Sequence, residues 1–317
     1  MSIIVTITFS PCIDKSTSVA QLLPEKKLRC SDPRIEPGGG GLNVSRVIRR
    51  LGGDTIAIYP SGGYTGKALD RLVKKENIPS SPVQTENETR ENFIVFETTT
   101  NKQFRFTLPG VTLNNSEWEQ FFTALGNIDD ISFIVVSGSM PGGAPPRLFY
   151  RLAAIADKKQ AKLVVDTSGD ALKNAVDAGV YLIKPNASEL ASLAGKNAIP
   201  TSEIAMEARK IIRNKNCEII VVSLNEAGAM AVTVNDEFRV AAPDVTVKST
   251  VGAGDSMVAG IVYALSKGDT TRSAVAFGVA CGTAATMNEG TELCHQKDVE
   301  KLFDQVKSQA NGIALAD

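Results

Sequence analysis

The sequence predicts a doubly wound α/β fold, a mostly parallel sheet with helices on both faces, and three observations carry that expectation. Near-continuous Val/Ile runs such as "IIVTITF" (3–9) and "ISFIVVSGS" (131–139) have the pattern of strands buried on both faces. Segments of helical period separate those runs. Glycine-rich and acidic motifs stand at predicted strand ends or helix starts, the side on which such sheets bind ligands.

Taken in order, strands are expected at 3–9, 55–61, 131–139, 162–168, 180–186 and 218–224, and helices at about 42–52, 65–77, 145–159, 202–215 and 254–267. Residues 14–36 and 90–108 break the alternation, being polar and β-leaning. In the second, "NFIVFE" and "QFRFTL" flank "TTTNK", which reads as an antiparallel hairpin. Both are assigned to a small β sheet projecting from the strand ends, which can serve as a lid over a cleft, as an edge sheet or as a dimer patch. No internal repeat, low-complexity tract or linker divides the chain, so residues 1–317 are expected to form a single domain with the lid at about 14–36 and 90–108.

Composition removes several function classes. The chain has 317 residues, 43% of them hydrophobic, enough for a full core. Lys+Arg number 34 against Asp+Glu 35, so no basic excess points to nucleic acid. No apolar run approaches the roughly 20 residues of a membrane span, and the first residues lack the basic start of a signal peptide. A cytoplasmic protein is the expectation. Cys12, Cys30, Cys217, Cys281 and Cys294 are scattered and never spaced C-x-x-C, which fits reduced thiols. The single histidine, His295, adjoins Cys294, and adjacent side chains point apart, so neither a metal pair nor His-dependent hydrolysis is indicated.

Four motifs can carry chemistry. "PCID" places Asp14 just after the first strand, as a cap or as a ligand-binding acid. "EPGGGGLNVSR" (36–46) runs Gly38, Gly39, Gly40 and Gly41 into a helix starting near Leu42 or Asn43; so many glycines imply positive φ or a close approach, read here as that of a ligand. Asn43 at the last position breaks the G-x-G-x-x-G fingerprint, and "SGGYTGKA" lacks both the first glycine and the final Ser/Thr of a P-loop. "IKPNASEL" sets Asn186 and Glu189 three apart on one helix face, a capping box or a joint hold on hydrated Mg2+. "KSTVGAGDSMVAG" (248–260) brings small residues and Asp255 to a helix start, a dipole-favoured cap or a base beside an anion site.

"STVGAGDSMVAG" resembles the C-terminal signature of ribokinase-like, or PfkB-family, sugar kinases, and "GGGGLNVSRVIRRLGG" resembles their N-terminal signature. The resemblance spans essentially the whole chain, with "PCID", "SGSMPGG", "KPNASEL" and "NEGT" in place. Within the family, "KLRC", "TREN" and "FRFTLPG" look like the ATP-dependent 6-phosphofructokinases, which implies phosphorylation of fructose 6-phosphate to fructose 1,6-bisphosphate. Kinases of fructose 1-phosphate or tagatose 6-phosphate are the nearest alternatives, and they usually carry a lysine where this chain has Gly40. A non-catalytic regulator that binds nucleotide or sugar phosphate is a third reading.

The resemblance implies that Asp255 is the base and that Gly252, Ala253 and Gly254 form the anion hole. It puts Asp14, Gly38, Gly39, Gly40, Gly41, Asn43 and Ser139 at the sugar, with Lys27, Arg29 and Arg90 near its phosphate and some of these basic residues supplied by a second copy in a homodimer formed through the lid. Lys27 and Arg29 read otherwise as a solvated face. Lys184, Asn186, Ser223, Gly228, Ala280 and Ala284 match positions around ATP, and Glu189 matches one around Mg2+. Ser249, Val251, Ala285, Asn288 and Gly290 match a K+ site, although Glu292 is an acid where a base is expected.

Overall fold

The strand β1 (Ile3–Ile7) is buried from its second residue on and pairs in parallel with β4 (Thr55–Gly62) and β8 (Ile131–Ser137). A Val/Ile strand of this kind is central because both of its faces are covered. The computed structural model describes residues 3–214 and 217–313. Within them the large sheet has nine strands: β5 (Ser80–Thr85), β4, β1, β8, β9 (Lys162–Asp166), β10 (Val180–Ile183), β11 (Cys217–Ser223), β12 (Ala229–Val232) and β13 (Glu237–Val240). The first seven run parallel, and β12 and β13 add an antiparallel ribbon at one edge.

Side-chain alternation sorts the sheet residues into two cores. Ile4, Phe133, Val135 and Val221 pack with α1 (Gly40–Arg50), α8 (Ala253–Ser266), α9 (Thr271–Thr286) and α10 (Gln296–Ile313). Val5, Ile134, Val136 and Val222 pack with α3 (Asn115–Gly126), α4 (Leu148–Lys159), α5 (Gly169–Ala178) and α7 (Ile204–Asn214). On that second face Trp118, 1% exposed, lies between Phe9 and Phe121 at ring-centroid distances of 5.1 and 6.1 Å. The expected doubly wound architecture is present.

Several boundaries move. The helix expected from 42 begins at Gly40, and the one expected from 145 begins at Leu148. Thr201–Glu203 is a 3-10 turn ahead of α7, and residue 215, the expected end of that helix, lies outside the described residues. β5, β12, β13, α3, α5, α9 and α10 were not expected from the sequence pattern.

The two segments that broke the alternation build a four-stranded sheet in the order β3 (Arg34–Gly38), β2 (Cys12–Val19), β6 (Arg90–Glu97) and β7 (Lys102–Phe106). β6 and β7 form the expected antiparallel hairpin, with Asn101 at φ 55° in its turn. The register puts Asp14 opposite Glu36 and Asn92, and Arg105 opposite Ile94, all on one face. The other face carries Ile35, Phe93, Phe104 and Phe106, which are 45%, 40%, 37% and 48% exposed.

Candidate active site

Strand order reverses between β1 and β8, and ligand crevices open at such a switch point outside the carboxyl ends of the strands. A cleft of about 220 Å³ lies there. Its walls come from the turn after β1 (Ser10), the small sheet (Cys12, Asp14, Arg90, Asn92, Arg105), the start of α1 (Gly39, Gly40, Asn43), the turn after β8 (Ser139) and the start of α8 (Asp255).

Asp255 stands in the first turn of α8, whose N-cap Gly252 is left-handed at φ 75°. The first N–H groups of a helix have no intrahelical partner, so this turn presents donors and the positive end of the dipole. Asn43 Nδ2 donates to Asp255 Oδ2 at 2.9 Å, and Ser137 Oγ donates to Oδ1 at 3.0 Å. The amide orientation of Asn43 is dictated from behind: Arg46, which can only donate, meets Asn43 Oδ1 at 3.3 Å. Arg46 is fully buried and also pairs with Glu36 at 2.7 Å and Glu76 at 2.8 Å. One buried guanidinium therefore ties β3 of the small sheet to the helix that steadies Asp255.

The glycine run has a cause within the protein besides the ligand approach the sequence suggested. A side chain at Gly40 would meet Ser137 Oγ at 2.4 Å and Gly138 N at 2.6 Å, so the close approach is made by the protein's own β8 turn and not by a ligand alone. Asp14 is buried beside Gly38, and its Oδ1 accepts from Cys12 Sγ at 3.2 Å and Asn92 Nδ2 at 3.1 Å. Burial, the largest influence, raises its pKa against the opposing hydrogen bonds and the charges of Arg46 and Arg90.

Lys184 lies beside the start of α8. Its Nζ is 3.2 Å from Asp166 Oδ1 and lies 3.5 Å from where a side chain at Gly254 would begin. Burial raises Asp166 to about 6, against the pull of Lys184 and with the help of Asp255 and Glu189. Burial also works against the Lys184 ammonium, but Asp166, Asp255 and Glu189 outweigh it and hold its pKa above the usual lysine value. The four groups thus share one electrostatic neighbourhood at the mouth of α8. Asn186 and Ser223 pair as neighbouring strand ends, and Gly228 turns the chain at φ 89° just beyond.

Asn186 and Glu189 form the capping box: Glu189 N donates to Asn186 Oδ1, and Asn186 N to Glu189 Oε2, both at 2.8 Å. No cluster of three or more His, Cys, Asp or Glu side chains able to hold a metal occurs among the described residues. That donor set suits a hydrated Mg2+ carried on phosphate oxygens, not a cage of protein ligands.

Other expected residues lie elsewhere. Lys27 and Arg29 are exposed on the connection between β2 and β3 and do not line the cleft; Arg105 stands there with Arg90 instead. Arg105 Nη2 donates to Thr250 Oγ1 at 3.2 Å, joining the hairpin to the turn before α8. Ala280 and Ala284 are 0% exposed within the core, so a purine could touch them only if α9 drew back. Ser249 Oγ donates to Gly290 O at 2.9 Å, and Asn288 N to Ala285 O at 3.2 Å, which brings two pairs of the K+ set together; Val251 N donates to Ser249 Oγ at 3.2 Å. Glu292 is engaged by Arg34 at 2.5 Å and His295 at 2.8 Å. His295 is exposed and Cys294 buried, so the adjacent pair does point apart.

Sequence reasoning passed over Ser137, Asp166, Asn92 and Arg105. Asp166 lay inside the expected strand 162–168, which in the structure ends at that residue, and Arg105 lay within the quoted "FRFTLPG". Ser137 opens the quoted "SGSMPGG" and Asn92 ends the quoted "TREN", but nothing in either motif singled the residue out.

Comparison with known proteins agrees with this geometry. The family described as pfkB family carbohydrate kinase matches residues 5–298. The ATP-dependent 6-phosphofructokinase isozyme 2 of Escherichia coli (strain K12) is 39% identical over 301 residues, covering 95% of this chain and 97% of that protein. The 1-phosphofructokinase of Bacillus subtilis (strain 168) is 29% identical, covering 96% of this chain and 98% of that one. Among solved structures, phosphofructokinase-2 from Escherichia coli in complex with potassium superposes with a TM-score of 0.93 at 38% identity, over 97% of this chain and all of that one. The same enzyme in complex with fructose-6-phosphate gives 0.91 at 37% identity, with 97% and 100% covered.

Proposed function

We propose, from the premise that this chain belongs to the pfkB family of carbohydrate kinases, that it converts fructose 6-phosphate to fructose 1,6-bisphosphate with ATP as donor. The observation that carries this reading is Asp255 at the start of α8, held by Asn43 and Ser137 and facing Asp14, Arg90 and Arg105 across one cleft. It is an ATP-dependent sugar-phosphate kinase by family, and the two arginines supply the planar donors a sugar's existing phosphate calls for.

In this reading Asp14, Asn43, Ser139 and the glycine turn bind the sugar hydroxyls. Asp255 takes the proton of the attacking hydroxyl as it approaches the γ-phosphorus in line. The N–H groups of Gly252, Ala253 and Gly254 and the Lys184 ammonium stabilise charge on the equatorial oxygens. Lys184, Asn186, Ser223 and Gly228 place the nucleotide; Asn186 and Glu189 would hold Mg2+, which when bound neutralises the donor phosphates. Ser249, Val251, Ala285, Asn288 and Gly290 would offer oxygen ligands to K+. Gly40 favours the 6-phosphate: with Ser137 Oγ 2.4 Å from any added side chain, the lysine usual in the alternative kinases has no room.

The small sheet acts as a lid on this single kinase domain. Its exposed Ile35, Phe93, Phe104 and Phe106 face pairs with a second copy in a homodimer, and Lys27 and Arg29 then reach the neighbouring cleft. No helix among the described residues is long and apolar enough to cross a membrane, and the glycolytic reaction proposed here belongs in the cytoplasm. The test is initial-rate ADP production with MgATP and fructose 6-phosphate, fructose 1-phosphate, tagatose 6-phosphate or fructose, with and without K+. A kcat/KM preference for fructose 6-phosphate is expected; preference for another sugar phosphate overturns the substrate, and silence on all four overturns the kinase reading.

A further inference from the structure

The carboxylate of Asp14 is gripped on one side. Its Oδ1 accepts from Cys12 Sγ at 3.2 Å and from Asn92 Nδ2 at 3.1 Å, while Oδ2 lies against Gly38, where any side chain would come within 2.2 Å. The amide of Asn92 is itself oriented. Leu108 N–H, a donor only, meets Asn92 Oδ1 at 3.2 Å, which turns Nδ2 toward Asp14 and Cys12.

The backbone of the same residue, Leu108, holds a second cleft residue. Its carbonyl accepts from Arg90 Nη1 at 2.7 Å, and Arg90 Nη2 donates to Ser10 O at 3.1 Å. Arg90 and Asn92 sit two apart on one face of β6, so a single residue just beyond β7 sets both, through its N–H and its carbonyl. Gly110 presses that strap onto Ser10, with a side chain there reaching Ser10 Oγ at 2.4 Å.

We propose that Asn92 is a positioning residue for sugar binding: it relays the placement of the 107–110 strap to Asp14, so that Oδ2 is presented to the sugar as an acceptor. This rests on Asp14 being the sugar-hydroxyl ligand. The charged and titratable groups facing Asp14 are Cys12 on its own strand, Glu36 on β3, Arg90 on β6, Arg105 on β7, Arg46 on α1 and Asp255 on α8. Burial raises the Asp14 pKa and the Asn92 hydrogen bond opposes it. Removing the amide lets that pKa rise further, so the neutral acid, a weaker acceptor, appears at a higher pH.

The test is kcat and KM for the sugar phosphate and for ATP, followed from acid to neutral pH. Wild type is compared with Asn92→Ala, Asn92→Ala/Cys12→Ser, Gly110→Ala and Asp14→Ala. Asn92→Ala raises the sugar-phosphate KM roughly tenfold at the acid end and less at the neutral end, the scale of one charge-assisted hydrogen bond. Its kcat and KM for ATP stay at wild type. Cys12→Ser, which supplies a hydroxyl donor, recovers part of the loss. Gly110→Ala, which lifts the strap without touching Asn92, gives the same pH-dependent rise and carries the test if Asn92→Ala does not fold. Wild-type KM values and pH profiles in Asn92→Ala or Gly110→Ala, with a raised sugar KM in Asp14→Ala, overturn the positioning role alone. An unchanged sugar KM in Asp14→Ala overturns the sugar-site reading beneath it.

Discussion

Asp255 and Lys184 stand on elements packed between a sheet and its covering helices, whereas Arg90, Asn92 and Arg105 stand on a sheet with one face in the cleft and Ile35, Phe93, Phe104 and Phe106 exposed on the other. The first arrangement fixes atoms through close-packed neighbours. The second fixes them through hydrogen bonds to a strap and a turn, Arg90 to Leu108 and Arg105 to Thr250. Phosphoryl transfer tolerates little displacement of the base, while a sugar has to enter and leave. In the function proposed above, the division puts the reacting groups on the close-packed body and the gripping groups on the hydrogen-bonded small sheet.

The largest effect expected of any substitution falls on the rigid side. Asp255→Asn keeps the shape and loses the base, so kcat drops by about 10² to 10⁴ with ATP affinity retained; near-wild-type turnover would remove Asp255 from its role. The next lies in the Asp166–Lys184 pair. Asp166 is ionised above about 6 and neutral below, so the rate falls as pH drops through that value and the Lys184 ammonium loses its partner. Asp166→Asn flattens this acid limb and lowers the plateau roughly tenfold, read from log kcat against pH; an intact limb in the variant assigns it elsewhere.

On the small sheet, Phe104→Glu places a charge on the aromatic face. It is expected to shift the protein to monomer in sedimentation and raise the sugar-phosphate KM about tenfold, with kcat less affected. A monomeric variant with unchanged KM breaks the link between the outer face and the cleft. Smallest is Glu189→Gln: glutamine still completes the capping box, so melting temperature holds, while the Mg2+ needed for half-maximal rate rises a few-fold. An unaltered Mg2+ requirement leaves Glu189 a cap only.

Legibility in the sequence followed the same division. Central strands announced themselves because burial on both faces demands unbroken Val/Ile runs, as in "IIVTI" and "ISFIVVS". β5, "SSPVQT", is a polar edge strand with a proline and carries no such signature. α9, "TRSAVAFGVACGTAAT", is buried almost all round, so it lacks the polar face by which a helix is recognised. In the site, Asp255, Asn43 and Asp14 were legible because each stands within a short quoted motif, "GAGD", "GGGGLN" and "PCID", beside a helix start or a strand end. Ser137 and Asn92 act through partners distant in sequence, Asp255 118 residues away and Asp14 78 away, and no local pattern reveals such pairs. Lys27 and Arg29 were legible as charges and through the resemblance, and the structure leaves both exposed away from the cleft.

The tryptophan sandwiched on the face opposite α8 makes the protein its own optical gauge. Trp118 is the chain's single tryptophan and is shielded among Phe9 and Phe121. Its emission in the native state is that of an indole in hydrocarbon and moves to the red only when that core opens. Neither of the rings it meets, Phe9 or Phe121, lines the cleft, so a variant's folding can be followed by light independently of whether it turns over substrate.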